Sequence, residues 1–139
     1  MARDTFHNAV KTALEKDGWL VTHDPLGFSF DQFNIMLDLA AERVIALERG
    51  TEKIAVEIKG FSGVSKITEF HAALGQYENY RAALELKDPT RKLYLAVPDS
   101  VHATFFQSEL VQYTLKRNAI ALLIYNPFDE VIRQWINPT

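Results

Sequence analysis

The sequence contains no cysteine among its 139 residues, which excludes a disulfide framework and any metal site built on thiolates. Its four histidines lie far apart, without the spacing of metal ligands, and we interpret each as an ordinary surface or core residue: His7, His23, His71 and His102. A zinc ion held by four side chains is therefore not expected.

Long apolar runs are also missing, and no window reaches the length of a transmembrane helix. The N-terminus has charged residues at Arg3 and Asp4, where a signal peptide would lead into an apolar core. We therefore expect a cytoplasmic protein with no membrane association.

An excess of basic residues is the third feature that the sequence lacks. The formal net charge of −3 argues against a basic coat for nucleic acid, while a local basic groove around an acidic site stays open. The composition, 47% hydrophobic and 24% charged, is that of an ordinary soluble globular protein. Because no repeat or linker interrupts the chain, we predict a single domain over residues 1–139.

The apolar periodicity predicts an α/β (α+β) fold, a mixed β-sheet flanked by helices. The predicted helices cover residues 3–17, 65–86 and 100–117. The predicted strands cover residues 19–22, 43–48, 53–61, 92–98, 120–125 and 130–136, the last at a sheet edge. We predict a loop over residues 24–34, with a short strand around 28–30 as an option, and a hairpin turn at 49–52.

The most informative stretch is the strand predicted from Ile54 to Phe61, in which small or apolar residues alternate with charges. A period of two places Glu57 and Lys59 on one face, with aliphatic residues on the other. Taken alone, the stretch slightly favours an exposed strand whose solvated face carries an ion pair. The alternative is that Glu57 holds a metal ion and Lys59 stabilises charge on a phosphate.

Asp38 favours the second interpretation, because it lies nineteen residues before Glu57 in the middle of an apolar run. Asp followed by Glu-x-Lys resembles the metal-dependent nuclease superfamily written PD-(D/E)xK, although Leu37 stands where that motif has proline. Two carboxylates can hold Mg²⁺ or Mn²⁺, with the carbonyl of Ile58 as a further ligand. We expect Lys59 to lie near both acids, to lower their pKa values and to stabilise phosphoryl charge.

Other side chains are weaker candidates for the same site. Gln76 and Tyr80 are four apart, hence on one helix face, and resemble a Gln-x-x-x-Tyr helix that supports the site in some branches of the superfamily. The alternative for this pair is an ordinary polar helix face. Glu15 could reach the site from the first helix, although a solvated face suits it better. Four basic residues could contact phosphate, although such pairs are more often solvated ends of elements: Arg91, Lys92, Lys116 and Arg117.

Beyond the superfamily, the chain resembles the family of the fdxN element excision controlling factor XisH over nearly its whole length. The stretches that carry this resemblance are residues 3–7, 16–19, 37–39, 41–43, 53–59, 73–77, 80–81 and 93–98. The resemblance implies a role in programmed DNA excision in cyanobacteria, alongside a site-specific recombinase and a small companion, XisI. The resemblance does not decide whether the protein assembles as a homodimer.

Two functions follow as main hypotheses, and a stand-alone interaction domain that binds no nucleic acid is a third option. The first is a metal-dependent DNA endonuclease that uses Asp38, Glu57 and Lys59 as catalytic residues. The second is a non-catalytic accessory that keeps the nuclease fold and controls excision by binding DNA, the recombinase or XisI. The acids favour the first, because a pure scaffold gains nothing from a costly charge cluster, whereas the acidic net charge favours the second.

Overall fold

The computed structural model describes residues 2–46 and 50–138. Within these residues, six strands form one mixed sheet, two short strands form a separate antiparallel hairpin, and four helices flank the sheet. In chain order the elements are α1 (Ala2–Lys16), β1 (Leu20–His23), β2 (Leu26–Ser29), β3 (Asn34–Leu37), β4 (Leu39–Ala46), β5 (Gly50–Ile58), α2 (Lys66–Lys87), β6 (Lys92–Pro98), α3 (Asp99–Ala103), a 3₁₀ turn (Phe105–Gln107), α4 (Glu109–Arg117), β7 (Leu122–Asn126) and β8 (Val131–Ile136). The predicted fold class is confirmed.

The strand order in the large sheet is β1-β4-β5-β6-β7-β8. The central strands β5, β6 and β7 run parallel, while β1, β4 and β8 pair antiparallel with their neighbours. Helix α2 provides the long crossover that parallel strands need between β5 and β6. Strand β8 lies at a sheet edge, as predicted.

The sheet is covered on both faces, which explains its nearly continuous apolar strands. On one face α1 packs through its buried residues Ala9, Val10 and Leu14. On the other face α2, α3 and α4 contribute buried residues that include Phe70, Tyr77, Val101, Val111 and Leu115. Successive residues of β6 pack alternately against the helices on the two faces, so the central strands are buried between two layers of helices.

The single helix predicted over residues 100–117 is wrong. The chain leaves helical geometry at Thr104, with φ −117° and ψ −88°, and again at Ser108, which is extended. The Ser108 hydroxyl then accepts a hydrogen bond from the amide of Val111 and caps α4. The break also changes which residues face inward, because Leu110 is 64% exposed instead of buried.

The segment 24–34, predicted as a loop, contains β2 and the first residue of β3, and these two strands pair as an antiparallel hairpin. Strand β3 ends at Leu37, and Asp38 occupies the bend before β4 begins. The structure thus divides the apolar run around Asp38 into two strands that belong to different sheets. Of the predicted turn at 49–52, Gly50 and Thr51 already belong to β5, and residues 47–49 lie outside the described residues.

None of the helices in the described ranges is long and apolar enough to cross a membrane.

Candidate active site

Asp38 and Glu57 meet on neighbouring strands. Because Leu39 pairs with Val56 in the β4–β5 register, the next position along places Asp38 opposite Glu57 on the same sheet face. The Asp38 amide donates to Glu57 Oε1 at 3.3 Å, and the Ile58 amide donates to Asp38 Oδ2 at 2.8 Å. Each carboxylate is thus held by the main chain beside the other, so two acids nineteen residues apart form one pair.

The pair is buried and electrostatically unfavourable. Asp38 is 8% exposed and Glu57 is 6% exposed. Burial, followed by the negative charge of Asp38, raises the pKa of Glu57 to about 8. The Lys59 ammonium lies 3.8 Å from Glu57 Oε2 and acts in the opposite direction without outweighing them. The expectation that Lys59 leaves the pKa of Glu57 lowered is therefore wrong, because desolvation dominates.

The end of β5 is fixed from both faces of the sheet. A Cβ atom at Gly60 would lie 2.4 Å from the ring of Phe6, so α1 packs directly on the backbone next to Lys59. Phe61 adopts a left-handed conformation with φ 53°, and its buried ring packs edge-on against Phe106 at 5.2 Å. A strained backbone of this kind is stable only when the surrounding packing holds it in place. The packing around Gly60 and Phe61 therefore fixes the backbone next to Lys59.

A cavity of about 160 Å³ opens beside the carboxylates. It is lined by residues of α1, the β3–β4 bend, the end of β5 and the start of α2: Phe6, His7, Asp38, Ile58, Lys59, Gly60, Phe61, Ser62 and Glu69. Taking about 30 Å³ for each water molecule, it holds roughly five waters, or a phosphate group with fewer. A larger cavity of about 290 Å³ between α4 and β8 contains none of the predicted site residues.

The predicted supporting residues Gln76 and Tyr80 lie on α2. Burial raises the pKa of Tyr80, and the negative charges of Glu57 and Asp38 raise it further, which places the phenol in their field. Gln76 lies one turn earlier on the same helix face. Its Oε1 atom is buried and accepts no hydrogen bond within the described residues. A buried amide oxygen normally has a partner, so this atom marks a place for a donor or a cation.

His7, interpreted from the sequence as an ordinary histidine, is a further residue that lines the cavity. It lines the cavity with Asp38 and Lys59, and its Nε2 lies 2.7 Å from Asp24 Oδ1. Lys11 also binds this carboxylate, with Nζ 3.0 Å from Oδ2. One signal was present in the sequence, because residues 3–7 are among the stretches that carry the family resemblance.

Two weaker candidates are now placed away from the site. Glu15 is exposed on α1, as its polar neighbours indicated. Arg91 is 8% exposed and is tied to the fold, since it donates to Asp88 Oδ2 at 2.9 Å and to the carbonyl of Ile54 at 3.1 Å. A role for Arg91 as a phosphate contact is wrong.

The donor set suits Mg²⁺ or Mn²⁺. Both ions prefer carboxylate and carbonyl oxygens, and the paired side chains of Asp38 and Glu57 supply carboxylates. Within the described residues no third Asp, Glu or His joins the two acids. The remaining ligand positions would then fall to the Ile58 carbonyl and to water, which Mg²⁺ ordinarily retains.

Comparisons with known proteins place the chain in a family. The family model described as XisH protein matches residues 1–133. No curated protein matches. A solved XisH family protein from Nostoc punctiforme PCC 73102 is 51% identical, covers 96% of this chain and 100% of its own, and has a TM-score of 0.87. A solved fdxN element excision controlling factor protein from Anabaena variabilis is 50% identical, with coverages of 97% and 100% and a TM-score of 0.88. The chain belongs to the XisH family.

Proposed function

We propose that this protein is a metal-dependent DNA endonuclease that hydrolyses phosphodiesters during the excision of a DNA element. The observation that carries the proposal is the buried pair of Asp38 and Glu57 beside Lys59. Two like charges taken out of water cost stability unless a cation neutralises them, and burial with repulsion already raises the pKa of Glu57 to about 8. Glu57 does not itself line the cavity, but Asp38 and Lys59 do, and a strongly perturbed acid next to a cavity is typical of functional sites.

The residues have separate roles in this proposal. Asp38, Glu57 and the Ile58 carbonyl would hold Mg²⁺ or Mn²⁺, which when bound supplies positive charge to the phosphate and its attacking water. Lys59 stabilises the negative charge that develops on the phosphoryl oxygens. Gln76 and Tyr80, which share one face of α2, position the substrate backbone in this proposal.

The family supports the biological setting that we propose. A relative with 50% identity is an fdxN element excision controlling factor protein, so we place this chain in the same kind of DNA rearrangement. The partners in this proposal are DNA, the companion XisI and a site-specific recombinase, in the cytoplasm, with homodimer assembly as an open option. Dependence on a companion fits the acidic net charge of −3, which leaves much of the DNA binding to a partner.

Supercoiled plasmid provides the test. Incubation with Mg²⁺ or Mn²⁺ is expected to give nicked or linear DNA, and a chelator is expected to stop the reaction. The double variant Asp38→Asn with Glu57→Gln keeps the shape of both side chains and serves as the matched inactive control. Equal cutting by the wild type and the double variant would refute the proposal, because the activity would then come from elsewhere.

A non-catalytic accessory is the second candidate function. One observation favours it: each carboxylate already accepts a main-chain hydrogen bond from the segment of the other acid, so the pair also ties the bend before β4 to β5. In that case the protein binds DNA, the recombinase or XisI without cutting. DNA binding that persists in the double variant, together with no cutting by either protein, would favour this alternative.

A further inference from the structure

The cavity that is lined by Asp38 and Lys59 is also lined by a histidine that is hydrogen-bonded to a carboxylate. His7 projects from α1 into the cavity that also contains Asp38 and Lys59. Its Nε2 atom is bonded to Asp24 at 2.7 Å, which leaves the Nδ1 atom of the same ring for another partner. A carboxylate on one imidazole nitrogen fixes the orientation of the ring, as in sites where a second residue positions a functional histidine.

The position of this histidine is built into the fold. Lys11, one helical turn after His7, binds the second oxygen of Asp24 at 3.0 Å and so fixes the carboxylate from the same helix. Phe6 packs against the backbone of Gly60, which allows no Cβ atom there. The packing of Phe6 on Gly60 therefore fixes the part of α1 that carries His7 beside the end of β5. A histidine on a merely solvated helix face would need neither constraint.

His7 does not belong to the group of metal ligands. Within the described residues no third His, Asp or Glu joins Asp38 and Glu57 in a cluster that could hold a metal ion. The ring nevertheless lines the same cavity, which is large enough for a phosphate group. Its partner is then the substrate.

We propose that His7 is a further catalytic residue, the general acid that protonates the leaving oxygen, and that Asp24 positions it. This inference rests on the proposed nuclease function. In the step, the oxygen of a water molecule bonds to phosphorus while the bond from phosphorus to the leaving oxygen breaks. The imidazolium of His7 gives its proton to that oxygen, and the attacking water releases one proton to solvent. The products are a phosphate monoester and an alcohol, and His7 regains its proton from solvent.

The test compares a poor and a good leaving group on the same enzyme. The poor one is the sugar oxygen of DNA, measured on plasmid, and the good one is p-nitrophenolate, measured on thymidine 5′-p-nitrophenyl phosphate with Mn²⁺. A good leaving group needs no proton. His7→Ala and the closer mimic His7→Gln are expected to lose on the order of 10²-fold or more on DNA and less than about 3-fold on the activated ester. Asp24→Asn is expected to follow the same pattern with a smaller loss.

The matched control is His71→Ala, which removes an exposed histidine from α2 and is expected to change neither rate. Thermal melts of all variants identify any that fail to fold, and His7→Gln preserves the test if His7→Ala is one of them. An equal loss on both esters, or no loss on DNA, overturns the inference while the proposed function stands. Failure of the wild type to cleave either ester, with the companion XisI present, overturns the proposed function and this inference together.

Discussion

Replacing Glu57 by glutamine is expected to stabilise the metal-free protein at alkaline pH. Glu57 is almost fully buried next to Asp38, and its pKa in the folded protein is raised to about 8 from an ordinary value of 4.5. Glutamine has the shape of the protonated acid, can still accept the hydrogen bond from the Asp38 amide, and carries no charge. The substitution therefore removes a buried repulsion without leaving a cavity.

The sign follows from proton linkage. Below pH 4.5 Glu57 is protonated in the folded and the unfolded chain, so its contribution to stability is fully present. Between pH 4.5 and about 8 the unfolded chain releases the proton while the folded chain retains it, and stability falls with rising pH. At about 1.4 kcal/mol for each pH unit, the loss is bounded at about 5 kcal/mol. Because Asp38 shares the interaction, we expect about 2–4 kcal/mol.

The assay is urea unfolding of the wild type and of Glu57→Gln at pH 5 and pH 9 in the presence of a chelator. The two proteins are expected to lie within about 1 kcal/mol of each other at pH 5, and the variant to be about 2–4 kcal/mol more stable at pH 9. Glu15→Gln, which changes an exposed acid on α1, is the matched control and is expected to shift neither value beyond about 0.5 kcal/mol.

Manganese is expected to reduce the stability difference between the two proteins at pH 9. At about one hundred times its Kd, a ligand specific to the folded state stabilises by about 2.7 kcal/mol, and the wild type should gain this while Glu57→Gln gains less. A variant less stable than the wild type at pH 9 without metal would refute the reasoning. It would mean that the Glu57 carboxylate is stabilised in the fold, as a plain ion-pair partner of Lys59.

The remaining predictions concern Lys59, two glycines and the partner. Lys59→Ala is expected to keep most Mn²⁺ binding and to lose on the order of 10²-fold in plasmid cleavage; a wild-type rate would demote Lys59 to an ion-pair partner. Gly60→Ala is expected to cost about 1–3 kcal/mol in urea unfolding because its Cβ meets Phe6, whereas Gly75→Ala, open on the α2 surface, is expected to gain about 0.5–1 kcal/mol; equal effects would contradict the packing. The isolated chain is expected to cut plasmid poorly or without sequence preference until XisI is added, and strong site-specific cutting by the chain alone would show that no companion is needed.

Much of the fold could be predicted because local signals agreed with the tertiary arrangement. Helix α2 has a serine at Ser65 whose hydroxyl accepts from Thr68 and caps it, and an apolar stripe that packs on the sheet. The period-two pattern of β5 predicted that Glu57 and Lys59 share one sheet face. Antiparallel pairing of β4 with β5 in a hairpin then brings Glu57 beside Asp38. The convergence of the two acids follows from this register.

The rest depends on contacts that the chain makes only after folding. The break at Thr104 and Ser108 interrupts an otherwise helical apolar pattern, so periodicity alone predicted one helix. The raised pKa of Glu57 reflects burial that the charged pattern Glu-x-Lys did not reveal. His7 and Asp24 lie seventeen residues apart on different elements, and only the docking of α1 beside Gly60 brings the ring to the cavity.

The central claim is that Asp38 and Glu57 hold one divalent cation between them. Calorimetric titration of the metal-free protein with Mn²⁺ tests it most directly, with Asp38→Ala and Glu57→Gln beside the wild type and Glu15→Gln as the control. We predict one Mn²⁺ for each wild-type or control chain, and an affinity at least about tenfold weaker when either paired acid is removed, which corresponds to about 1.4 kcal/mol. Equal Mn²⁺ affinity in the wild type and in Asp38→Ala would contradict a shared metal site.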